Sequence, residues 1–311
     1  AGELADADLK VLEERFGFTL QEDPKLFLNM NVEVMSQWKV KFTMEKYLLT
    51  MADQCVPDWR TWPQLDLPNK SSLQADYDVA HAREKPVTAT RVAHYRAKIG
   101  KLIYAAPCVR ADACYGISRM ARAQTFPTAE LEACADHMIV HLAQTASMGV
   151  TFDGSVANAS KLWAESDSDW AVGHSTTGVV VFHGGAAVHY SSKRQPCIAM
   201  SSTEAEIIAA SDAAMVLVFC SMLLKELGVE LAEPPKLRVD NSGAVELSRD
   251  RKSCHRSRHV DRRFFKVREL HALGKLMVEH VDTLLNAADL LTKALAWTGH
   301  VKHRKTLLNL P

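Results

Sequence analysis

The sequence carries no net charge: 37 lysines and arginines balance 37 aspartates and glutamates over 311 residues. As a whole the chain is therefore not a polybasic binder, and any nucleic-acid surface must arise from local segregation of charge. CxxC spacing is also absent. The seven cysteines, Cys55, Cys108, Cys114, Cys134, Cys197, Cys220 and Cys254, are scattered singly. An odd, unpaired set argues against a disulfide framework and against a zinc site, and it fits a reducing compartment. No stretch approaches about 18 uninterrupted apolar residues, so no membrane span is expected. The start, Ala1 to Asp6, has neither an apolar run nor a basic residue, so no signal peptide is expected. Without an initiating Met the chain is expected to be a piece of something longer. Repeats and low-complexity tracts are missing as well.

What is present is a composition of 47% hydrophobic and 24% charged residues, that of a soluble globular protein. The length suggests about two domains and suffices for a sizeable core. Leu9, Leu12 and Phe16 read as a short helix, Phe27 to Val34 as strand-like, and Val40 to Leu49 as a second apolar stretch. Residues 57–85, rich in Pro, Asp, Asn and Ser and containing Trp59 and Trp62, read as an extended connector with local packing, not a core element. From Thr88 to Thr145 the spacing of Tyr95, Ile99, Leu102 and Ile103, then of Leu131, Cys134, Met138 and Leu142, is helical, with Pro107 and Pro127 as punctuation. The polar run Asp153 to Ser160 is the best linker.

After the linker the order of elements changes. Strands are expected at Leu162–Ser166, Gly178–Phe182 and Ala186–Tyr190, then a long helix from Ser202 to Leu227. A strand at Leu237–Asp240 follows, then helices from Asn241 and Val260, a strand at Lys275–Val281 and a last helix at Ala287–Leu295. This order implies a mixed sheet with helices packed on it.

Four acids fall at ends of these elements: Asp167, Glu206, Asp240 and Asp289. Brought to one sheet edge they would offer the oxygen ligands that hard divalent cations require. Each also has a plain structural reading. Asp167 and Asp169 sit in a turn-like run, Glu204 and Glu206 each fit a capping box with Ser201 or Thr203, Asp240 precedes a helix, and Asp289 follows Asn286 at capping distance. Spacing alone does not choose between the two.

The surrounding motifs do. Ser166 to Ala171 (SDSDWA), Ser191 to Pro196 (SSKRQP), Ser201 to Ser211 (SSTEAEIIAAS), Val239 to Ala244 (VDNSGA), Arg258 to Arg263 (RHVDRR) and Ala288 to Leu295 (ADLLTKAL) resemble, in order, six elements of the ribonuclease H domain of copia-type retrotransposon Pol polyproteins. Upstream, Asp8 to Lys46, Tyr95 to Tyr104 and Arg110-Ala111-Asp112 are similar to the segments that follow the palm of the same reverse transcriptases. The chain departs from the family pattern in the shortened run Trp170 to Gly178, in Ile207 after TEAE and in Ala111 of the Arg-Ala-Asp triplet.

The resemblance implies an α/β fold: a C-terminal RNase H-like mixed five-stranded sheet flanked by helices, preceded by a mainly helical region with a small palm-remnant sheet. Residues 1–152 would be the palm remnant with thumb and connection, 153–160 the linker and 161–311 the RNase H-like domain. It implies a metal-dependent endonuclease that hydrolyses the RNA strand of RNA·DNA hybrids. Asp167, Glu206, Asp240 and Asp289 would be both catalytic and metal-binding, holding two Mg²⁺, with Mn²⁺ as a substitute. The partners would be the hybrid and the upstream polymerase part of the same polyprotein, with no membrane. The location would be intracellular, in cytoplasmic virus-like particles or the nucleus.

A polymerase needs a YxDD hairpin. Asp76-Tyr77-Asp78 is the only superficial match, and it lies in the Pro/Asn/Ser-rich segment, so the chain alone is not expected to polymerise. Between Arg249 and Arg268 stand nine basic residues against two acids, a concentration suited to phosphates. Arg256, Arg258, His259, Arg262 and Arg263 are the expected nucleic-acid contacts there. Asn241 and Ser242, beside Asp240, are placed to sense the 2′-hydroxyl that marks RNA. His280, near the last strand's end, reads as an ordinary strand-end histidine or an aid to proton transfer. The alternative to an enzyme is an inactive retroelement remnant that binds nucleic acid or protein.

Overall fold

The structure, a computed structural model, describes residues 3–17, 24–82, 87–171, 173–249 and 261–311. The first half opens with α1 (Glu3–Phe16), then β1 (Leu26–Phe27), β2 (Met30–Ser36) and β3 (Lys39–Thr43). Five helices follow: α2 (Glu45–Cys55), α3 (Leu73–His81), α4 (Ala89–Val109), α5 (Cys114–Ala121) and α6 (Ala129–Gln144). Strand β4 (Gly149–Asp153) then returns to pair with β3 and completes a four-stranded antiparallel sheet, β1-β2-β3-β4.

The short helix α7 (Val156–Ala159) leads to the second sheet. Its strands are β5 (Leu162–Asp169), β6 (Thr176–His183), β7 (Ala186–Arg194), β8 (Lys236–Val239) and β9 (Met277–His280), in the order β7-β6-β5-β8-β9. The first three form an antiparallel meander, and β8 and β9 join in parallel. Parallel strands need a crossover, here α8 (Ser202–Glu226) between β7 and β8, and α9 (Ser242–Arg249) with α10 (Asp261–Ala272) between β8 and β9. The chain ends in 3₁₀ turns at Thr283–Leu285 and Ala287–Leu291 and in α11 (Trp297–Leu308). The mixed five-stranded sheet flanked by helices, with a small antiparallel sheet before it, is the architecture the resemblance implies.

Strand β6 shows why the second sheet is covered on both faces. Its run Val179 to Phe182 is wholly buried and alternates in destination. Val179 and Val181 pack with Ala210, Leu217, Leu237 and Val278 under α8. Val180 and Phe182 point the other way, into a core shared with Met44, Leu102, Met138, Leu290 and Leu307. That second core takes residues from both sheets, so residues 153–160 connect two sheets that share one apolar interior.

Several sequence expectations are corrected. Residues 57–85 are not an extended connector: Trp59 is buried, and α3 sends Leu73, Tyr77 and Ala80 into the core. Proline and asparagine there mark turns between packed pieces. Asp76-Tyr77-Asp78 lies within that helix and is not a hairpin. Pro107 does not break the path but sits inside α4, near its end. The last helix is not Ala287–Leu295: that stretch begins as a 3₁₀ turn, and the true terminal helix is α11. Helix α8 is long and apolar enough to cross a membrane by length and composition, but its buried side lies on the sheet.

Candidate metal centre

Asp167 stands in β5, directly opposite Gly178 of β6. The strand continues to Asp169, so Asp167 is inside the sheet and not at its end. Glu206 comes from the first turns of α8. Here the two capping readings separate. Ser201 Oγ accepts from the Glu204 N–H (3.1 Å), and Glu204 Oε2 accepts from the Met200 N–H (2.7 Å), which closes the helix start. Glu206, two residues on and so on the opposite side of the helix, is released to face the sheet edge. Asp240 follows the last residue of β8.

These three carboxylates each present an oxygen within 4.8 Å of the others. Asp167 and Glu206 are buried and Asp240 is half-buried. The Ser168 N–H (3.2 Å) and hydroxyl (3.0 Å) both donate to Glu206 Oε1. Glu206 Oε2 is buried with no hydrogen-bond partner, an orphaned carboxyl oxygen on a residue of the acid cluster. Burial, and then the Asp167 and Asp240 carboxylates, push Glu206 up to about 8. Asp240 is raised by burial and by Asp167, against hydrogen bonds from Asn286 and Thr283.

Asp289 joins from the other side, on the 3₁₀ turn Ala287–Leu291. It is buried, and burial together with Asp167 pushes it up to about 6. Lys293 Nζ lies 2.9 Å from Asp289 Oδ1 and 3.9 Å from Asp167 Oδ2. Burial works against the charge of this ammonium, but Asp167 and Asp289 outweigh it and hold the lysine above its ordinary value. The Thr292 hydroxyl donates to Asp167 Oδ2. Asn286, fully buried, ties the turn to the strand: its Nδ2 donates to the Ser166 carbonyl (3.0 Å) and its Oδ1 accepts from Ala288 N–H (3.1 Å). Three of the four expected acids thus form one cluster, and Asp289 adjoins it through Lys293, which reaches both Asp289 and Asp167. Thr292, Lys293 and Ser168 complete the site and had no role in the sequence reading, although Thr292 and Lys293 lie within the ADLLTKAL motif; Asn286, read there only as a cap, does cap the turn and also ties it to β5.

The expected nucleic-acid residues are less gathered. Asn241 Oδ1 accepts from the Ala244 N–H (3.0 Å) and caps α9, so its side chain has a structural task beside the acids. Ser242 is the exposed first residue of that helix. Arg262 and Arg263 fall in the first turn of α10, and Arg256, Arg258 and His259 lie outside the described residues. His280 Nε2 is 3.2 Å from the Asp240 carbonyl oxygen, which sets it at the rim of the cluster.

A retrovirus-related Pol polyprotein from transposon RE1 of Arabidopsis thaliana is 33% identical over 209 residues, covering 66% of this chain and 14% of the relative. That from transposon RE2 of the same plant is 29% identical over 300 residues, covering 93% of this chain and 19% of the relative. The counterpart from transposon TNT 1-94 of Nicotiana tabacum is 30% identical over 201 residues, covering 64% of this chain and 15% of the relative. The chain is a homologue of the Pol polyproteins of copia-type transposons. It spans less than one fifth of their length. No protein-family model matches it. Among solved structures, LC11-RNase H1, isolated from compost, in complex with an RNA/DNA hybrid aligns with a TM-score of 0.32 at 18% identity, over 41% of this chain and 89% of that one. The foamy viral protease-reverse transcriptase in complex with an RNA/DNA hybrid aligns with a TM-score of 0.40 at 12% identity, over 73% of this chain and 28% of that one. In this Pol homologue four of the six motifs quoted from the sequence supply Asp167, Glu206, Asp240 and Asp289, one acid each.

Proposed function

We propose that the chain is the RNase H part of a retrotransposon reverse transcriptase and hydrolyses the RNA strand of RNA·DNA hybrids with the help of divalent metal ions. The observation that carries this reading is the convergence of Asp167, Glu206 and Asp240, with an unpartnered buried oxygen on Glu206. A cluster of that kind is costly without a cation, because like charges repel and burial removes the water that would screen them. Carboxylate oxygens suit hard cations, so Mg²⁺ is the proposed ion, with Mn²⁺ as a substitute and two ions in the working complex. When bound, such ions supply an activated water and stabilise the leaving oxygen of a phosphodiester.

The chain's own residues do the rest. Ser168 fixes one Glu206 oxygen and leaves the other without a partner. Thr292 and Asn286 hold Asp167 and the Asp289 turn in register with β5. Asn241 and Ser242 border Asp240, and Arg256, Arg258, His259, Arg262 and Arg263 are proposed to meet the phosphate backbone. A labelled hybrid incubated with the chain, with and without Mg²⁺, tests the reading: metal-dependent shortening of the RNA strand only is expected. Asp240→Asn should abolish it while hybrid affinity stays the same or rises, since a negative charge near phosphates is removed. Equal cleavage by Asp240→Asn would sink the proposal.

A further inference from the structure

We propose that the Lys293 ammonium occupies one of two cation positions in the acid cluster, so that the free chain offers a single divalent-ion site and a second ion enters only by displacing this lysine. The inference rests on the metal-nuclease reading above and divides its four acids into two unequal halves.

One half is open. Asp167, Glu206 and Asp240 present oxygens within 4.8 Å of one another, and Glu206 Oε2 has no partner. Among the described residues no basic side chain lies within ion-pair distance of Glu206 or Asp240. The other half is already neutralised. Lys293 Nζ bridges Asp289 Oδ1 at 2.9 Å and Asp167 Oδ2 at 3.9 Å, and the Thr292 hydroxyl donates to that same Asp167 oxygen. Asp167 is shared: one oxygen is committed to threonine and lysine, which leaves the other for the open half. An ammonium is a compact point charge with three donors, so it can stand between two carboxylates as a hard cation does. It is also tethered by a flexible stem, and the side chain is 46% exposed, so it can swing out.

Charge decides when it leaves. Lys293 and a second dication would compete for the same Asp289 and Asp167 oxygens. A phosphate brought by the nucleic acid would add negative charge at that place and favour the dication, with its greater charge, over the ammonium. Lys293 would then act as a positioning residue and a brake: it keeps Asp289 and Asp167 together in the free chain and yields its place when the hybrid arrives.

The test is a titration of the full chain with Mn²⁺ as the probe, without nucleic acid, with free ion read by electron paramagnetic resonance. Wild type should bind one ion per chain. Lys293→Met should bind two, or bind its second ion at least about tenfold more tightly, because a competing charge is gone. Lys293→Arg, which keeps the charge, should bind one. Lys293→Gln removes the charge but keeps hydrogen bonding, and it repeats the measurement should Lys293→Met fail to fold by circular dichroism. Two equivalent ions on the wild type, or one ion on the neutral variants with unchanged affinity, would overturn the role of Lys293 alone. No bound ion on any folded variant would overturn the metal-nuclease reading together with it.

Discussion

Glu204 and Glu206 stand two residues apart with opposite duties, and this shows how far side-chain direction governs the site. Glu204 closes the helix start through the Met200 N–H. Glu206 turns into the cluster, where burial and its acidic neighbours push it up to about 8. A carboxyl whose folded value is raised stabilises the protein below the ordinary carboxylate range and loses that contribution as pH rises through the folded value. Metal-free protein should therefore lose stability between about pH 4.5 and pH 8 on account of this group. Glu206→Gln should flatten that trend and, at pH 8, melt higher than the metal-free wild type. Thermal melts in a chelator at several pH values check it, and an unchanged slope in the variant would show that Glu206 is not under strain. At this scale the sequence was legible for the acids, because each stood in a recognisable motif. It was not legible for the contacts that Asn286, Ser168 and Lys293 make across elements: Asn286 reaches Ser166 across 120 residues, and Lys293 reaches Asp167.

At the scale of elements, periodicity placed β5, β6, β7 and α8 well, because each carries a face that must be buried. The Ala287–Leu291 turn was misread as a helix. Its five residues are all buried, Asp289 among them, so the stretch has no exposed polar side to reveal its period. What lets it lie on the sheet is Gly178. A Cβ there would stand 2.8 Å from the Ala288 carbonyl oxygen and 2.8 Å from Thr292 Cγ2. Gly178 faces Asp167 across the strand pair, so the closest approach in the turn is made beside the acid that Thr292 holds. Gly178→Ala should push the turn outward and cost about 1–3 kcal/mol, the usual range for overpacking. Chemical denaturation measures the loss, and Mn²⁺ affinity should fall with it as Asp289 and Thr292 move away from Asp167. A variant as stable as wild type would mean that the turn is not seated on the glycine. A second element-scale prediction concerns the start of α8: Ser201→Ala removes the acceptor for Glu204 N–H and should cost about 1 kcal/mol. A loss within error of zero in the same denaturation experiment would show that the cap is redundant.

The whole molecule is held by a core that no local pattern announces, since alternation shows that a face is buried but not against what. Residues from α2, α4 and α6 share it with β6, the 287–291 turn and α11. At its polar centre Arg110 and Asp112, both fully buried, make a bidentate pair with two 2.9 Å bonds, and Arg110 also donates to the Thr145 carbonyl (3.3 Å). Burial opposes the Asp112 charge, but Arg110 outweighs it and holds the carboxyl well below the usual range. His141 of α6 and His300 of α11 flank this pair, each 1% exposed. Burial, with Arg110 adding to it, depresses His141 to about 3; burial, opposed by Asp112 but joined by Arg304 and Arg110, depresses His300 to about 4. A histidine depressed in this way must stay neutral in the folded state, so the stability it contributes is full above its unfolded value of about 6.5 and is lost as pH falls through the folded value. The acid limb of the stability curve should thus fall between about pH 6.5 and pH 4, by about 2–3 kcal/mol for each of these two histidines. Glu206 has the opposite sign over part of this window, so the measurement belongs on Glu206→Gln in chelator. On that background His300→Gln should be less stable at pH 7.5, because a packed ring is lost. It should also lose less on going to pH 4.5, because one buried histidine no longer has to charge. Since α11 and the first half meet at this centre, tryptophan fluorescence and far-ultraviolet circular dichroism should report one shared transition in denaturant at either pH. Two well-separated transitions would mean that the halves fold independently and that the buried pair does not join them, and an unchanged acid limb in His300→Gln would remove this histidine from the account.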